Sequence, residues 1–215
     1  MLFRFGKEKP LEYLNLQLRA FFPLNKQIDE LIKKHYNLTL ERTKLCFSSN
    51  SNKYYYKYLD NSRHTYFDPL HTCQWFIFLY LFANSIYKYE ENMESRVVCD
   101  QLYFLSKICS GADLYYEVDM PDFFACDHPV GSVIGRAHYS NGFSFTQGCT
   151  VGNNHGFYPY LEENVKMLAN STIIGKSHIG KNSIISANTY IKDQNIPENS
   201  IVFGMSPNLV IKYNH

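Results

Sequence analysis

The sequence lacks a surplus of charge of either sign, since 21 Lys and Arg side chains are balanced by 20 Asp and Glu side chains. Proteins that bind nucleic acid normally carry a basic excess, so no nucleic-acid partner is expected. The N-terminus also lacks the apolar core of a secretory signal peptide. The most apolar run, Trp75–Ala83, is far shorter than the roughly 20 residues of a membrane span. We expect no transmembrane segment and interpret this run as a buried helix, with contact to a membrane surface as the weaker alternative.

The six cysteines include no C-x-x-C pair, and no histidine lies at the spacing of a zinc finger. A disulfide framework is typical of small secreted domains, which this chain does not resemble. We therefore expect reduced, mostly buried thiols in a cytoplasmic protein, and no metal site.

Glycine is almost absent before residue 110, where Gly6 stands alone. Apolar residues at mixed three- and four-residue spacing predict amphipathic helices over Leu11–Phe22 and Leu24–Tyr36, separated by Pro23. The polar, tyrosine-rich segment Asn50–Asn61 is interpreted as a loop.

Two further helices complete the predicted helical domain over residues 1–110. Asp68 and Pro69 suit the N-cap and first position of a helix that reaches about Tyr87. Another helix is predicted over Met93–Cys109, and Ser110-Gly111 is expected to end it.

A six-residue period dominates the second half, residues 111–215. From Met167 the chain reads MLANST, IIGKSH, IGKNSI, ISANTY, IKDQNI, with an aliphatic first position and, in the first four hexads, Ser or Thr at the fifth. The same period begins earlier at Val133, Tyr139 and Phe145. A fixed short repeat predicts a solenoid, in which the aliphatic residue points inward and the small residue allows the chain to turn. The longer step between Val151 and Leu161 predicts a projecting loop over about residues 152–160.

The hexads resemble those of the hexapeptide-repeat acyltransferases. This resemblance implies an α+β chain, with an N-terminal α-helical domain followed by a left-handed parallel β-helix. Cys126–Gly135 (CDHPVGSVIG) matches the D-H-x-x-G-x-x-x-G segment of serine O-acetyltransferases and of related enzymes from surface-polysaccharide gene clusters. Gln147–Gly152 (QGCTVG) is similar to another segment of that family. The resemblance covers about residues 111–212.

The resemblance implies that His128 is the catalytic base and that Asp113, fifteen residues upstream, pairs with it. A neutral imidazole suits proton removal from a hydroxyl near pH 7, and a carboxylate on its other nitrogen holds the tautomer. Asp127, His155 and Tyr158 are the candidate acceptor contacts. Two of these residues have an alternative interpretation without a role in binding. Asp127 also suits a turn, and His155 also suits a solvated loop.

The same resemblance implies acetyl-CoA as co-substrate, no metal, and a homotrimer or a dimer of trimers. The coenzyme is expected to lie between subunits, against residues that include Ala169, Ala187, Asn153, Asn154 and Lys192. Asn153 and Asn154 replace smaller residues of the family, and Lys192 would serve only as a point charge for a phosphate.

The chain departs from serine acetyltransferases in the residues that are expected to contact the acceptor. Their projecting loop carries Arg-His-Pro, whereas this chain has Phe157-Tyr158-Pro159. A carboxylate is best bound by arginine, so the sequence favours transfer of an acetyl group to a sugar or a surface polysaccharide such as a capsule or O-antigen. L-serine O-acetylation is the alternative within the same class, and a non-catalytic trimeric scaffold is the alternative from another class.

Overall fold

The computed structural model describes residues 1–213, which form two compact units, Met1–Ser110 and a second unit that begins at Gly111. The first unit is mainly helical and the second is a parallel β-solenoid of short strands. The predicted order, helices followed by a parallel β-helix, is therefore confirmed. Among the described residues, no helix is both long enough and apolar enough to cross a membrane.

Four helices form most of the first unit: α1 (Lys9–Phe21), α2 (Lys26–Ser48), α3 (Thr72–Tyr89) and α4 (Met93–Ser110). The apolar run Trp75–Ala83 lies within α3 and is almost completely buried, which confirms its interpretation as a buried helix. The rings of Trp75 and Phe78 stack with centroids 5.0 Å apart. The aromatic residues here are therefore core residues, as large buried rings usually are.

The first unit also contains a small sheet, ordered β1 (Leu2–Phe3), β3 (Ser62–Phe67), β2 (Tyr56–Leu59). The expected loop over Asn50–Asn61 is therefore wrong in its second half. Asp60 and Asn61 both have positive φ (49° and 59°), as the two central residues of a type I′ hairpin turn require. Tyrosines favour strands, so this Tyr-rich segment forms a hairpin.

The third helix begins later than its sequence suggests. Its N-cap is His71, whose ring Nδ1 accepts from the Gln74 N–H at 3.4 Å, and the helix starts at Thr72. Asp68 instead accepts from the Leu70 N–H at 3.0 Å. The Asp-Pro pair thus closes a turn before the helix, a role that both residue types also favour.

Three faces of stacked parallel strands make up the solenoid, and the chain visits them in turn over about five coils. We call β4, β7, β10, β13 and β16 the first face; β5, β8, β11 and β14 the second; and β6, β9, β12 and β15 the third. The bounds are β4 Phe124–Cys126, β5 Val133–Ile134, β6 His138–Tyr139, β7 Phe143–Phe145, β8 Thr150–Gly152, β9 Tyr160–Leu161, β10 Lys166–Met167, β11 Thr172–Ile174, β12 His178–Ile179, β13 Ile184–Ile185, β14 Tyr190–Lys192, β15 Asn195–Ile196, β16 Ser200–Met205 and β17 Asn208–Tyr213. The last strand, β17, pairs antiparallel with β16.

The interior of the solenoid consists of the residues predicted to point inward. The first positions of the five later hexads are all at most 1% exposed and stack in register: Met167, Ile173, Ile179, Ile185 and Ile191. One inward position is wrong by a residue, because Val133 is exposed and Ile134 is buried against Val151. The ladder pairs Ile134 with Val151, and since neighbouring side chains of a strand point to opposite faces, Val133 must point outward.

The corners between the faces depend on small and left-handed residues. The predicted small positions Ser171, Ser177, Ser183 and Thr189 are all buried. The residue before three of them is Asn with positive φ, namely Asn170, Asn182 and Asn188. Asn tolerates this conformation better than most residues, and its amide also bonds to the Asn of the next coil, as from Asn170 to Asn188 at 3.3 Å.

Candidate active site

The predicted base, His128, lies at a corner of the solenoid. It follows β4 of the first face and precedes β5 of the second, and its backbone is left-handed (φ 48°). The His128 carbonyl accepts from the Val130 N–H at 2.8 Å, and the Asp127 N–H donates to the Phe145 carbonyl at 3.0 Å. These bonds fix the backbone of the corner, while the His128 side chain is 86% exposed and available to a substrate.

Asp113 lies beside this corner on the preceding coil. It forms a parallel bridge with Val133, with backbone hydrogen bonds of 2.8 Å to Ser132 and Ile134. Next to it, the Gly131 N–H donates to the Gly111 carbonyl at 2.8 Å. The solenoid therefore brings the backbone of Asp113 close to the segment that carries His128. The pairing of these two side chains in catalysis stays a prediction.

The carboxylate of Asp127 lies beside the His128 ring, with Oδ1 3.7 Å from Nε2. Both side chains are largely exposed, and contacts of this kind in water are weak. Asp127 thus lies beside His128, and its carboxylate is largely exposed.

The projecting loop comprises residues 153–159, between β8 and β9. Asn154 and Phe157 exchange two backbone hydrogen bonds of 3.0 Å. Between them, His155 and Gly156 have positive φ (51° and 84°), which makes a two-residue turn of the I′ type. His155 is exposed at the tip, and Tyr158 is about half exposed on the returning segment.

The predicted site residues divide between two edges of the solenoid. We call edge 1 the corners between the first and second faces, and edge 2 the corners between the second and third faces. His128, Asp127, Ala169 and Ala187 lie on edge 1. The projecting loop lies on edge 2.

The candidate coenzyme residues divide in the same way. Ala169 and Ala187 are on edge 1, above the corner of His128, and Ala187 is exposed. Asn153, Asn154 and Lys192 are at edge 2. The two edges are separated by the width of the second face, roughly 15–20 Å for about six residues of extended chain. One chain therefore does not bring His155 or Tyr158 within hydrogen-bond reach of an acceptor held at His128.

Two polar clusters in the solenoid were not predicted from the sequence. At edge 2, Asn154 donates from Nδ2 to Asp193 Oδ2 at 2.7 Å. On the third face, Glu162 accepts from the Lys181 N–H and contacts the His178 ring Nε2, each at 2.9 Å. The Lys181 N–H and His178 hold the pKa of Glu162 below its usual value. The sequence signal for the first cluster is Asp193 itself, a carboxylate with positive φ, whereas the later coils of the other two edges have Asn in this conformation. Glu162 gave no such signal.

Within residues 1–213, no three or more His, Cys, Asp or Glu side chains are grouped so that they could hold a metal ion. Ala169 and Ala187, the candidate coenzyme residues of edge 1, have small side chains, and contact of a pantetheine arm with the backbone there stays a prediction. The Ala169 carbonyl accepts from the Asn188 N–H of the next coil at 2.9 Å.

Serine acetyltransferases are among the known proteins that are similar to this chain. The serine acetyltransferase of Staphylococcus epidermidis is 25% identical over 139 residues, which cover 62% of this chain and 63% of that protein. The chain thus matches less than two thirds of the length of its curated relatives. No family model matches the chain.

Solved structures of serine acetyltransferases have a fold similar to that of this chain. The serine acetyltransferase of Brucella abortus superposes with a TM-score of 0.64 at 18% identity, covering 87% of this chain and 74% of that one. A serine acetyltransferase in complex with CoA superposes with a TM-score of 0.63 at 17% identity, covering 91% and 80%. These similarities show that the chain shares the fold of the solved serine acetyltransferases.

Proposed function

We propose that this protein is an acyl-CoA-dependent O-acyltransferase that uses His128 as its general base. The observation that carries the proposal is the edge shared by His128, Ala169 and Ala187. An exposed imidazole on a fixed corner lies there, and small residues, Ala169 and Ala187, occupy the same edge on two later coils. The related fold binds CoA in one of the solved serine acetyltransferases.

The chemistry assigned to the chain is proton transfer and orientation. A hydroxyl is a poor nucleophile at neutral pH, so His128 takes its proton as the oxygen attacks. Bound acetyl-CoA supplies the thioester carbonyl that is attacked, and the imidazolium then returns its proton to the departing sulfur. Asp113 would hold the His128 tautomer and stabilise the imidazolium. Asp127, beside the ring, would orient the acceptor hydroxyl.

A homotrimer would complete this site. His128 lies on edge 1 and the projecting loop on edge 2, and one chain keeps them apart. If edge 1 of one copy faces edge 2 of the next, His155 and Tyr158 of the neighbour can contact an acceptor at His128. Light scattering at micromolar concentration tests this arrangement: a trimer is expected, and a strict monomer would remove the shared site.

For the acceptor, the comparisons favour L-serine, because the relatives described above are all serine acetyltransferases. They give no support to a capsule or another surface polysaccharide. One observation still favours a sugar hydroxyl. The loop presents the exposed side chains of Phe157 and Tyr158 where the resemblance calls for Arg and His, and aromatic faces suit sugar rings. L-serine is therefore the first acceptor to test, with sugars beside it.

The decisive experiment measures release of the CoA thiol from acetyl-CoA with L-serine, sialic acids, hexoses and capsular oligosaccharides as separate acceptors. His128→Asn is the sharpest variant, since Asn tolerates the left-handed backbone of residue 128 but cannot act as the base. We expect it to lose about 10²- to 10⁴-fold in turnover. His138→Asn, on the third face, is the control and should retain activity. Full activity of His128→Asn would show that His128 is not the base. Absence of turnover in the wild type with every acceptor would favour the scaffold alternative.

A further inference from the structure

Edge 2 of the solenoid has one unusual corner residue. The non-glycine residues with positive φ at the ends of the coils are mainly Asn, which stack on one another. Among the described residues of the solenoid, Asp193 (φ 53°) is the one carboxylate in this conformation. Its neighbour on the preceding coil is Gly175, which offers no side chain to stack on.

The Asp193 carboxylate extends through the space that Gly175 leaves. A Cβ atom at Gly175 would lie 2.0 Å from Asp193 Oδ1 and 2.9 Å from the Cβ of Asn154. Asp193 thereby accepts from Asn154 Nδ2, two coils away, at 2.7 Å, and from the Lys176 N–H at 2.7 Å. Both oxygens are bonded, and hydrogen bonds to an ionised acceptor are stronger than neutral ones.

The same corner contacts the projecting loop a second time. The Lys176 ammonium lies 5.8 Å from the centroid of the Phe157 ring, within the range of a cation–π contact. Asn154 and Phe157 are the two residues that close the loop through their backbones. Asp193 thus contacts one of them directly and the other through the lysine whose N–H it binds.

We propose that Asp193 is a positioning residue, which reaches past Gly175 to Asn154 and holds the projecting loop in the geometry that receives the acceptor. The proposal rests on the proposed acyltransferase function, in which His155 and Tyr158 of this loop contact the acceptor. A loop that is already ordered loses less conformational entropy when it binds a substrate. The Asn154 amide is engaged by Asp193, so Asn154 can meet coenzyme A only through its backbone or its remaining amide atoms.

The first test measures the loop itself. Amide hydrogen exchange of residues 153–159 is compared in the full-length wild type, Asp193→Gly, Asp193→Asn and Asn199→Gly. Asp193→Gly keeps a residue suited to positive φ and removes the carboxylate, and loss of a charged hydrogen bond should speed exchange in the loop at least about tenfold. Asp193→Asn should stay near wild type, because a flipped Asn154 amide can pair with it as Asn170 pairs with Asn188.

Asn199→Gly is the matched control. Asn199 has the same left-handed backbone (φ 54°) and accepts from Asn182 Nδ2 at 2.9 Å, but on the corner between the third and first faces. It should lose a similar bond without faster exchange in the loop. Loop exchange in Asp193→Gly that equals wild type would overturn the proposal.

The second test measures the role in catalysis with whichever acceptor the thiol-release panel identifies. Asp193→Gly should raise KM for the acceptor about tenfold or more with little change in kcat, since uniform binding is lost. Asp193→Asn should restore the wild-type KM. A loosened loop with unchanged acceptor KM would disprove the positioning role. A wild-type protein without turnover would instead overturn the proposed function, and the exchange data would still decide whether Asp193 holds the loop.

Discussion

Arg136 donates from Nη2 to Oε2 of Glu117 at 2.7 Å. Arg136 is the single arginine of the sequence from residue 111 onward, and it lies on edge 2, between β5 and β6. The guanidinium best suited to bind the carboxylate of an amino acid is therefore already engaged by a carboxylate of the chain. An L-serine acceptor would have to be held by other donors.

Replacement of Arg136 by Gln should accordingly leave KM for the acceptor unchanged. The pair is largely exposed, and such pairs contribute about 0–1 kcal/mol to stability. Steady-state kinetics with L-serine, and with any active sugar, checks the prediction. A KM that rises for L-serine alone would show that Arg136 leaves Glu117 to bind the amino-acid carboxylate.

The solenoid could be predicted because every coil has the same packing requirements. Each coil needs an inward aliphatic residue and a small corner residue, so the period appears in the sequence from Met167 onward. The wrong inward prediction at Val133 also comes from reliance on the repeat. Where a repeat is one residue short, periodicity alone does not show which of two adjacent apolar residues points inward, and only the ladder from Ile134 to Val151 decides.

Contacts between distant residues could not be predicted in this way. Asp193 and Asn154 are 39 residues apart and meet because coils stack and Gly175 leaves space between them. The hairpin after Asn50 was missed because its apolar alternation is weak and its turn, Asp60-Asn61, has no glycine. The division of the site between two edges also follows from the three-faced geometry, which a linear motif does not contain.

Glu162 links successive coils on the third face, and its removal should have a pH-dependent effect. Its pKa is lowered by the Lys181 N–H and by His178, so the ionised form is favoured in the folded state. This stabilisation is present above the ordinary pKa of 4.5 and is lost as the pH falls through the lower folded value. Glu162→Gln should lower Tm at pH 7 and differ less from wild type near about pH 3.5.

The control for Glu162 is its exposed neighbour Glu163, whose replacement by Gln changes the net charge equally. Thermal unfolding of the three proteins at both pH values gives the comparison. A deficit of Glu162→Gln that is the same at both pH values would contradict the assignment.

Ile185 tests the energetic role of the inward stack. It is fully buried on the first face, paired with Met167 on one side and Val202 on the other. Ile185→Ala should cost about 2–5 kcal/mol of unfolding free energy, because it removes buried methyl groups and leaves a cavity. Ile184→Ala removes the same atoms from an adjacent, only partly buried side chain, so denaturant unfolding should show a loss less than half as large. Equal losses would mean that the inward position is not the one that stabilises the coil.

Two glycines with positive φ separate the effect of backbone strain from that of the space beside Asp193. A Cβ at Gly156 (φ 84°), in the turn of the projecting loop, would meet nothing within 4 Å. Gly156→Ala should therefore cost only the strain of a left-handed alanine, about 1–2 kcal/mol. A Cβ at Gly175 (φ 72°) carries similar strain, collides with the Asp193 carboxylate at 2.0 Å and also lies 2.9 Å from the Asn154 Cβ.

Gly175→Ala must therefore displace Asp193 and lose its bonds to Asn154 and the Lys176 N–H. Since hydrogen bonds to charged groups contribute roughly 1.5–3 kcal/mol, its unfolding free energy should fall below that of Gly156→Ala by about that amount. Denaturant unfolding of the two variants measures the difference. Combining Gly175→Ala with Asp193→Gly removes the colliding carboxylate, so the double variant should be less destabilised than the sum of the two single changes. Simple additivity would show that the space beside Gly175 is not reserved for Asp193.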